Sequence, residues 1–129
     1  MHIIKFTIPI APVSKKNHQQ IVRPNGRPCI VQSKQYRDYE KAAMLYIPKT
    51  YSLLAGPVTV KALFYMPTRR RVDKLNLQAA LDDILVRSGL LADDSCTVIP
   101  SHDGSRVFYD KEHPRTEVEI TSYEGLVPW

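Results

Sequence analysis

The strongest constraint on the fold is an alternating pattern over nine residues, Val58 to Met66, with aliphatic or aromatic side chains at every second position. A period of two residues predicts a long strand with one buried face, and Pro67 ends it. From about residue 74 to 88 the apolar residues recur with the spacing of a helix. Gly89 is placed to cap the C-terminus of that helix. Its buried stripe is predicted to consist of Leu77, Leu81, Ile84, Leu85 and Ser88.

Other segments predict shorter elements. Asn25-Gly26 predicts a hairpin between residues 20–22 and 29–31, because both central residues of a type I′ turn need positive φ. Ser33 is a favourable N-cap for a helix that runs from Lys34 to about Ile47. Further strands are predicted at residues 2–9, 96–99 and 117–120, and the pattern of residues 106–109 is ambiguous.

Together these elements predict an α+β fold, with a mixed β-sheet and two main helices packed on one face. The length predicts a single domain over residues 1–129, with a peripheral tail from 122 to 129. No apolar run approaches the roughly 18 residues of a membrane span, so no membrane contact is expected. The two cysteines lack the spacing of a zinc site, and we expect buried thiols in a reducing cytosol.

The charge is distributed unevenly along the chain. Residues 1–50 hold nine Lys or Arg against two acids, net +7, whereas residues 51–129 hold nine against eleven, net −2. A basic part beside an aspartate-rich part favours a polyanionic partner and leaves room for a metal ion. For the Pro-marked loop before Asn17 and for the hairpin tip, a solvated turn is the alternative interpretation. The candidate DNA contacts are Lys15, Lys16, Asn17, Arg23, Arg27, Arg69, Arg70 and Arg71.

The acidic residues point to a metal ion. Every acidic side chain between residues 73 and 103 is an aspartate, and short carboxylates at turns and helix ends suit a hard divalent cation such as Mg²⁺. Such ions activate water and neutralise charge in phosphodiester hydrolysis. The arginines at 69–71, just upstream, suit a phosphate. The combination predicts a metal-dependent nuclease, with Asp73 and Asp94 brought together if the intervening helix packs back on the sheet.

Structural roles compete with this interpretation. Asp73 is also a good N-cap, with Asn76 completing a variant of the capping box, and Asp93-Asp94 also suits a polar turn. Asn76 and Asp83 lie within about 20° of each other around the helix axis, which makes Asp83 a further candidate ligand. His102 and Asp103 add candidate supporting groups from the turn that follows residues 96–99.

The block Met66-Pro67-x-Arg69-Arg70-Arg71-x-Asp73-x-x-Asn76-Leu77, followed by Asp83 and Gly89-x-x-x-Asp93-Asp94, resembles the RusA family of Holliday-junction resolvases. The opening from Ile8-Pro9 to Asn17 also resembles the Pro-x-Ser-x-Asn loop of that family, so the similarity spans residues 1–121. The resemblance implies a homodimeric, Mg²⁺-dependent endonuclease, often phage-derived, that cuts four-way junctions by paired nicks.

The resemblance also assigns roles to individual residues. Asp73 and Asp94 become the leading catalytic metal ligands, and the family reads Asp-x-Asp-Asn where this chain has Asp73-Lys74-Leu75-Asn76. Leucine cannot bind a metal. Ala79 lies near the position of a family lysine, and Lys74 is the candidate to replace that lysine in catalysis. The full set carried over is Asp73, Asp83, Asp93 and Asp94 as metal ligands, with Asn76 in support.

The leading hypothesis is therefore a Mg²⁺-dependent crossover junction endodeoxyribonuclease, with Mn²⁺ as the alternative ion. It is expected to act on branched DNA as a homodimer, without a small-molecule cofactor, in the cytoplasm of a bacterium or as a phage-encoded protein. In a second hypothesis, Leu75 marks a structure-specific DNA-binding protein with weakened or lost catalysis. A small-molecule metal phosphohydrolase fits less well, because it does not explain the net charge of +7 in residues 1–50.

Overall fold

A computed structural model describes residues 3–14, 19–49, 54 and 56–126 of the chain. Two short 3-10 turns, Pro24–Gly26 and Met44–Tyr46, accompany eight regular elements. In chain order these are β1 Ile3–Ile8, β2 Gln19–Val22, β3 Cys29–Gln32, α1 Lys34–Ala43, β4 Val58–Met66, α2 Lys74–Arg87, β5 Arg106–Tyr109 and β6 Arg115–Ser122.

The main sheet has four strands in the order β1-β6-β4-β5, and β2 pairs with β3 as a separate hairpin. The strand β6 runs antiparallel to both β1 and β4, whereas β5 runs parallel to β4 at the edge of the sheet. With the two helices this is the mixed α+β fold that the sequence predicts. Residues 106–109, ambiguous in sequence, are therefore a strand.

One face of the sheet forms the core. Val60, Ala62 and Phe64 of β4 are at most 1% exposed, and the residues between them are only partly buried. The inner side chains pack in one cluster with the buried tyrosines of α1 and the leucines of α2. Each fully buried Leu, Ile or Phe stabilises the fold by about 1.5–3 kcal/mol relative to an exposed one. The predicted stripe of α2 is buried as expected, except that Ser88 is only partly covered.

Local signals set the start of α1 and the hairpin turn. The Ser33 hydroxyl accepts a hydrogen bond from the Tyr36 amide at 3.2 Å, as predicted for an N-cap, but α1 ends at Ala43 and continues as a 3-10 turn. In the hairpin, Asn25 and Gly26 both have positive φ, at 56° and 77°. However, the Gly26 amide donates to the Arg23 carbonyl at 3.2 Å. That hydrogen-bonded turn has Pro24 and Asn25 at its centre and overlaps the predicted turn, whose central residues, Asn25 and Gly26, have the positive φ that the prediction requires.

The strand predicted at residues 96–99 is wrong. The amides of Val98 and Ile99 both donate to the Ser95 carbonyl, at 3.0 and 2.8 Å, and so form a turn. The turn is fixed against β4, where the Val58 amide donates to the Val98 carbonyl at 2.9 Å. Cys96, predicted to be a buried thiol, lies exposed on this turn. Within the described ranges, no helix is long and apolar enough to cross a membrane.

Candidate functional site

A basic loop joins the end of β4 to the start of α2. Arg69, Arg70 and Arg71 are all exposed in it, as expected for residues that contact a phosphate. The guanidinium carbon of Arg69 lies 4.3 Å from the centre of the Tyr109 ring, so one arginine of the loop rests on the neighbouring strand β5. The positive charge of the loop therefore lies at the end of the sheet where β4 and β5 finish.

Asp73 follows this loop and caps α2. Its Oδ1 accepts hydrogen bonds from the amides of Leu75 at 2.9 Å and Asn76 at 3.4 Å. The predicted capping role is confirmed, but it occupies only one carboxylate oxygen. Among the described residues, Oδ2 has no hydrogen-bond donor. Because Asp73 is exposed, this second oxygen remains accessible to a cation, and the two roles are compatible.

The first turn of α2 carries the residues that the sequence places around Asp73. Lys74 is exposed and Asn76 is partly buried. Leu75 is 73% exposed, so packing in the core does not explain a leucine at this position. This chain thus presents a large apolar side chain to solvent two residues after Asp73.

Asp93 and Asp94 lie at the other end of α2. The preceding residue, Ala92, donates its amide to the Leu54 carbonyl at 2.9 Å, and the following turn is fixed to the first residue of β4. Both aspartates are exposed, and Oδ1 of Asp93 accepts a hydrogen bond from the Asp94 amide at 2.8 Å. This is the local geometry of a polar turn, which was the alternative interpretation of the pair.

The two leading metal ligands therefore do not meet within one chain. The helix α2 has 14 residues, which at about 1.5 Å per residue separates its ends by about 21 Å. Asp73 is at its N-terminus, and Asp94 follows its C-terminus. Consistent with this separation, no group of three or more His, Cys, Asp or Glu in the described part of the chain is arranged to hold a metal ion.

Asp83 takes part in an ion-pair network between the two helices. Its Oδ2 lies 3.1 Å from Nε of Arg87, whose Nη1 lies 3.3 Å from Oε1 of Glu40 on α1. The nearby Tyr36 hydroxyl has a raised pKa, chiefly because it is buried and also because of the negative charges of Glu40 and Asp83. A metal ion at Asp83 would compete with Arg87 for this carboxylate.

A buried polar chain that sequence reasoning missed runs from Gln78 through Asp82 to His102. The Asp82 carboxylate accepts from the Gln78 side-chain amide at 3.2 Å, and its other oxygen lies 2.8 Å from Nε2 of His102. Gln78 and Asp82 are only 4% and 6% exposed. The sequence contains a signal for this burial, because Gln78 and Asp82 each directly follow a leucine of the buried stripe of α2. His102, predicted to support the metal site, thus contacts Asp82, and Asp103 is exposed in the next turn.

The remaining predicted DNA contacts lie on the N-terminal half. Arg23 and Arg27 are exposed at the tip of the hairpin, in agreement with the expected position. Lys15, Lys16 and Asn17 lie outside the described residues.

Comparison with known protein families matches this chain to one family model. The model of a family described as endodeoxyribonuclease RusA matches residues 9–121 of this chain. The match contains the basic loop, Asp73 and the Asp93-Asp94 turn. A comparison with individually curated proteins returned no match.

Proposed function

This chain belongs to the RusA family of endodeoxyribonucleases, and we propose that it resolves four-way DNA junctions by two symmetric nicks that require a divalent metal ion. Membership implies Holliday-junction resolvase activity and branched DNA as the partner. The metal requirement, the two nicks and the oligomeric state are the parts that we add.

The observation that carries the proposal is the arrangement at the end of β4. Three exposed arginines lead directly into Asp73, whose Oδ2 is accessible while Oδ1 caps α2. Arginine binds phosphate oxygens through a planar fork of donors, so the loop can hold a DNA backbone next to a carboxylate. Lys74, exposed on the first turn of α2, adds a further cation directly after Asp73 in the chain.

The residues fit Mg²⁺ in part. Mg²⁺ is commonly held by one or two carboxylates together with substrate phosphates and water, and Asp73 and Asp94 are both exposed carboxylates. When bound, Mg²⁺ or Mn²⁺ would supply an activated water and neutralise charge on the phosphate. Within one chain, however, the ends of α2 hold these carboxylates apart.

We propose that the two carboxylates are brought together across the interface of a two-fold homodimer. In such a dimer, Asp73 of one protomer would approach Asp94 of the partner subunit, and the symmetry would create two equivalent sites. Two sites related by a two-fold axis suit cleavage of two strands of like polarity in a four-way junction. The proposal explains why each chain places its two best candidate ligands at opposite ends of a helix.

The test is a nicking assay on a four-way junction beside a linear duplex of matched sequence, with Mg²⁺, with Mn²⁺ and with chelator. We expect symmetric nicks in the junction alone, only with metal, and none from Asp73→Asn. Asp38→Asn is a matched control, since this exposed carboxylate pairs only with Lys34 on the outer face of α1 among the described residues. Equal cutting of the duplex, or cutting in chelator, would contradict the proposal.

The second candidate function is junction binding with little or no cleavage. Leu75 favours it, because an apolar side chain 73% exposed stands where the family carries an acid. Tight junction binding by the wild type without nicks would support this alternative. In that case Leu75→Asp is expected to raise cleavage, since it would restore the second carboxylate of the Asp-x-Asp-Asn pattern, two residues after Asp73.

A further inference from the structure

Three planar groups stand side by side on the face of the sheet opposite the core. Tyr65 of β4 lies opposite Arg115 of β6 and opposite Phe108 of β5 in the strand register. The guanidinium carbon of Arg115 lies 3.7 Å from the centre of the Tyr65 ring. The Tyr65 and Phe108 rings are stacked, with centres 5.2 Å apart and planes inclined by 27°. The order across the sheet is therefore Arg115, Tyr65, Phe108.

The stack is fixed at its inner end and open at its outer end. Arg115 is held by Asp110 and Glu117, each at 2.9 Å. Phe108 lies on β5, the last strand of the sheet in the described chain, and is 45% exposed. A flat aromatic surface thus ends at the sheet edge, and a further planar group could extend the stack there.

The charges around this edge favour an anionic ligand. Arg106, two residues before Phe108 on the same strand face, is exposed. Arg69 lies over Tyr109 at the end of β5. Asp110 and Glu117, the carboxylates that hold Arg115, are both engaged in these pairs. A planar surface with Arg106 on the same face and Arg69 at the end of the strand matches the combination of base and phosphate in a nucleotide, because bases of any sequence stack on aromatic rings.

This edge also lies at the same end of the molecule as Asp73. The Asp110 amide, just after β5, donates to the carbonyl of Met66 at 2.8 Å, and the basic loop to Asp73 starts after Met66. A base on Phe108 would therefore belong to DNA that continues toward the proposed cutting site. In branched DNA, the strands at the crossover offer bases that can leave the duplex stack.

A second copy of the chain is the competing occupant of an exposed edge strand. Two-fold pairing of β5 with itself would bring Arg106 and Arg69 of both copies to one seam, where the nearby Asp110 is already paired with Arg115. Cations gathered at one seam without free counter-charges repel one another. The charge pattern therefore favours DNA at this edge.

We propose that Phe108 is a base-stacking residue that holds an unpaired nucleobase at the edge of the sheet, with Arg106 contacting the adjoining phosphate. The inference rests on the proposed function, since it names how the same protein would hold a strand beside its cutting site. Phe108 and Arg106 are DNA-binding residues additional to the basic loop and the hairpin.

The test compares two single-stranded probes in chelator, oligothymidine and an abasic oligonucleotide of equal length, which carry the same phosphates. Phe108→Ala is expected to weaken oligothymidine binding by roughly 5- to 150-fold, as stacking of about one base would predict. It should leave binding of the abasic probe unchanged, and Phe108→Trp should retain base-dependent binding. Leu45→Ala, which removes an 83% exposed leucine remote from this edge, is the control and should change neither affinity.

Three results would overturn the inference. The first is an unchanged affinity of Phe108→Ala for oligothymidine, and the second is an equal loss of affinity for both probes. The third is conversion of a dimer to a monomer by Phe108→Ala without loss of base-dependent binding, which would assign the edge to a second copy of the chain. Circular dichroism of each variant checks that it is folded. Junction nicking by the wild type is scored separately. Nicking without a Phe108 effect removes only this inference, and a base-dependent effect without nicking removes only the proposed function.

Discussion

At the residue scale, Asp73 has a capping role and a proposed role in metal binding, and substitution can separate the two. Asn and Ser cap helices about as well as Asp, whereas Ala loses the cap at about 1 kcal/mol. We expect Asp73→Asn and Asp73→Ser to unfold in urea like the wild type, and Asp73→Ala to be less stable by about 1 kcal/mol. All three should lose junction cleavage, because none retains the carboxylate. Normal cleavage by Asp73→Ser would limit Asp73 to its capping role.

His102 provides a second test at this scale. In His102→Ala the buried Asp82 carboxylate would keep only Gln78 as a partner, and an unsatisfied buried group costs about 1–3 kcal/mol. The free energy of unfolding should fall by about that amount, with junction affinity unchanged. Asp103→Ala, in the exposed neighbouring turn, serves as the control for stability. If His102→Ala instead lost cleavage with unchanged stability, His102 would support the metal site, as the sequence predicts.

The caps were predictable because they depend on residues within one turn. Ser33 and Asp73 each bind an amide two or three residues ahead, and such contacts are visible in local sequence. The partner of Asp82 is 20 residues away. Its burial could be anticipated from its position beside the apolar stripe of α2, but the identity of His102 as its partner depends on how the turn at residues 101–105 packs.

At the scale of elements, the loop between β4 and α2 should dominate the salt dependence of DNA binding. Removing one phosphate contact reduces the slope of log affinity against log salt by about 0.9. Replacing both Arg69 and Arg70 by Ala should therefore flatten the slope by about 2 for a junction. Fluorescence anisotropy across a salt series measures it, with Lys34→Ala on the outer face of α1 as the control. An unchanged slope would place the DNA surface elsewhere.

The turn between β5 and β6 should make stability depend on pH. The Asp110 carboxylate accepts from the His113 amide at 3.0 Å and from Arg115 at 2.9 Å, and these bonds, in that order, hold its pKa below the ordinary carboxyl value. The folded state therefore binds this proton less readily than the unfolded state. The stabilisation is present above the unfolded pKa and is lost as the pH falls through the folded value.

Asp110→Asn should accordingly be less stable than the wild type at neutral pH, and the difference should shrink below about pH 4. Urea unfolding of both proteins at several pH values measures this trend. A difference that stays constant from neutral to acid pH would mean that the ionised carboxylate does not stabilise the turn. Asp103→Asn, at an exposed carboxylate that forms no ion pair with the described residues, controls for general acid effects.

Elements with a strong local period were predictable, and those defined by long-range pairing were not. The bounds of β4 agree with the alternation, and α2 ends within a residue of its predicted end. In contrast, β5 is a strand because it pairs with β4 in parallel, and three of its four side chains are exposed, so it lacks an alternating pattern. Residues 96–99 are rich in strand-forming residues, but the hydrogen bonds to Ser95 close them into a turn.

At the scale of the whole molecule, the sequence predicts candidate site residues but not their separation. The pattern could not show that the chain after α2 stays near the start of β4, because that depends on the contacts of Leu54 and Val98 with distant segments. The helix packs back on the sheet, as the sequence predicts, yet this packing carries Asp94 away from Asp73. The proposed site shared between two protomers would reconcile the motif with the fold.

Mixing inactive variants tests that arrangement. If each site combines Asp73 of one protomer with Asp94 of the partner, a mixed dimer of Asp73→Asn and Asp94→Asn chains contains one site with both substitutions and one intact site. Each variant alone should be inactive. After refolding together in equal amounts, random pairing should restore about a quarter of the wild-type sites, detected as single nicks in a labelled junction. Sites confined to one chain predict no activity in the mixture.

In the converse mixture a shared site predicts loss of cleavage instead of its recovery, so this mixture controls for artefacts of refolding. A chain with both Asp73→Asn and Asp94→Asn, refolded in excess with wild-type chains, places nearly all wild-type chains in mixed dimers. If the sites are shared, both sites of each mixed dimer lack one carboxylate, and cleavage should disappear although wild-type chains are present. If each chain carries its own site, cleavage should remain in proportion to the wild-type chains. Restored activity in the first mixture with full activity in the second would exclude a shared site, because a shared site requires the second mixture to be inactive.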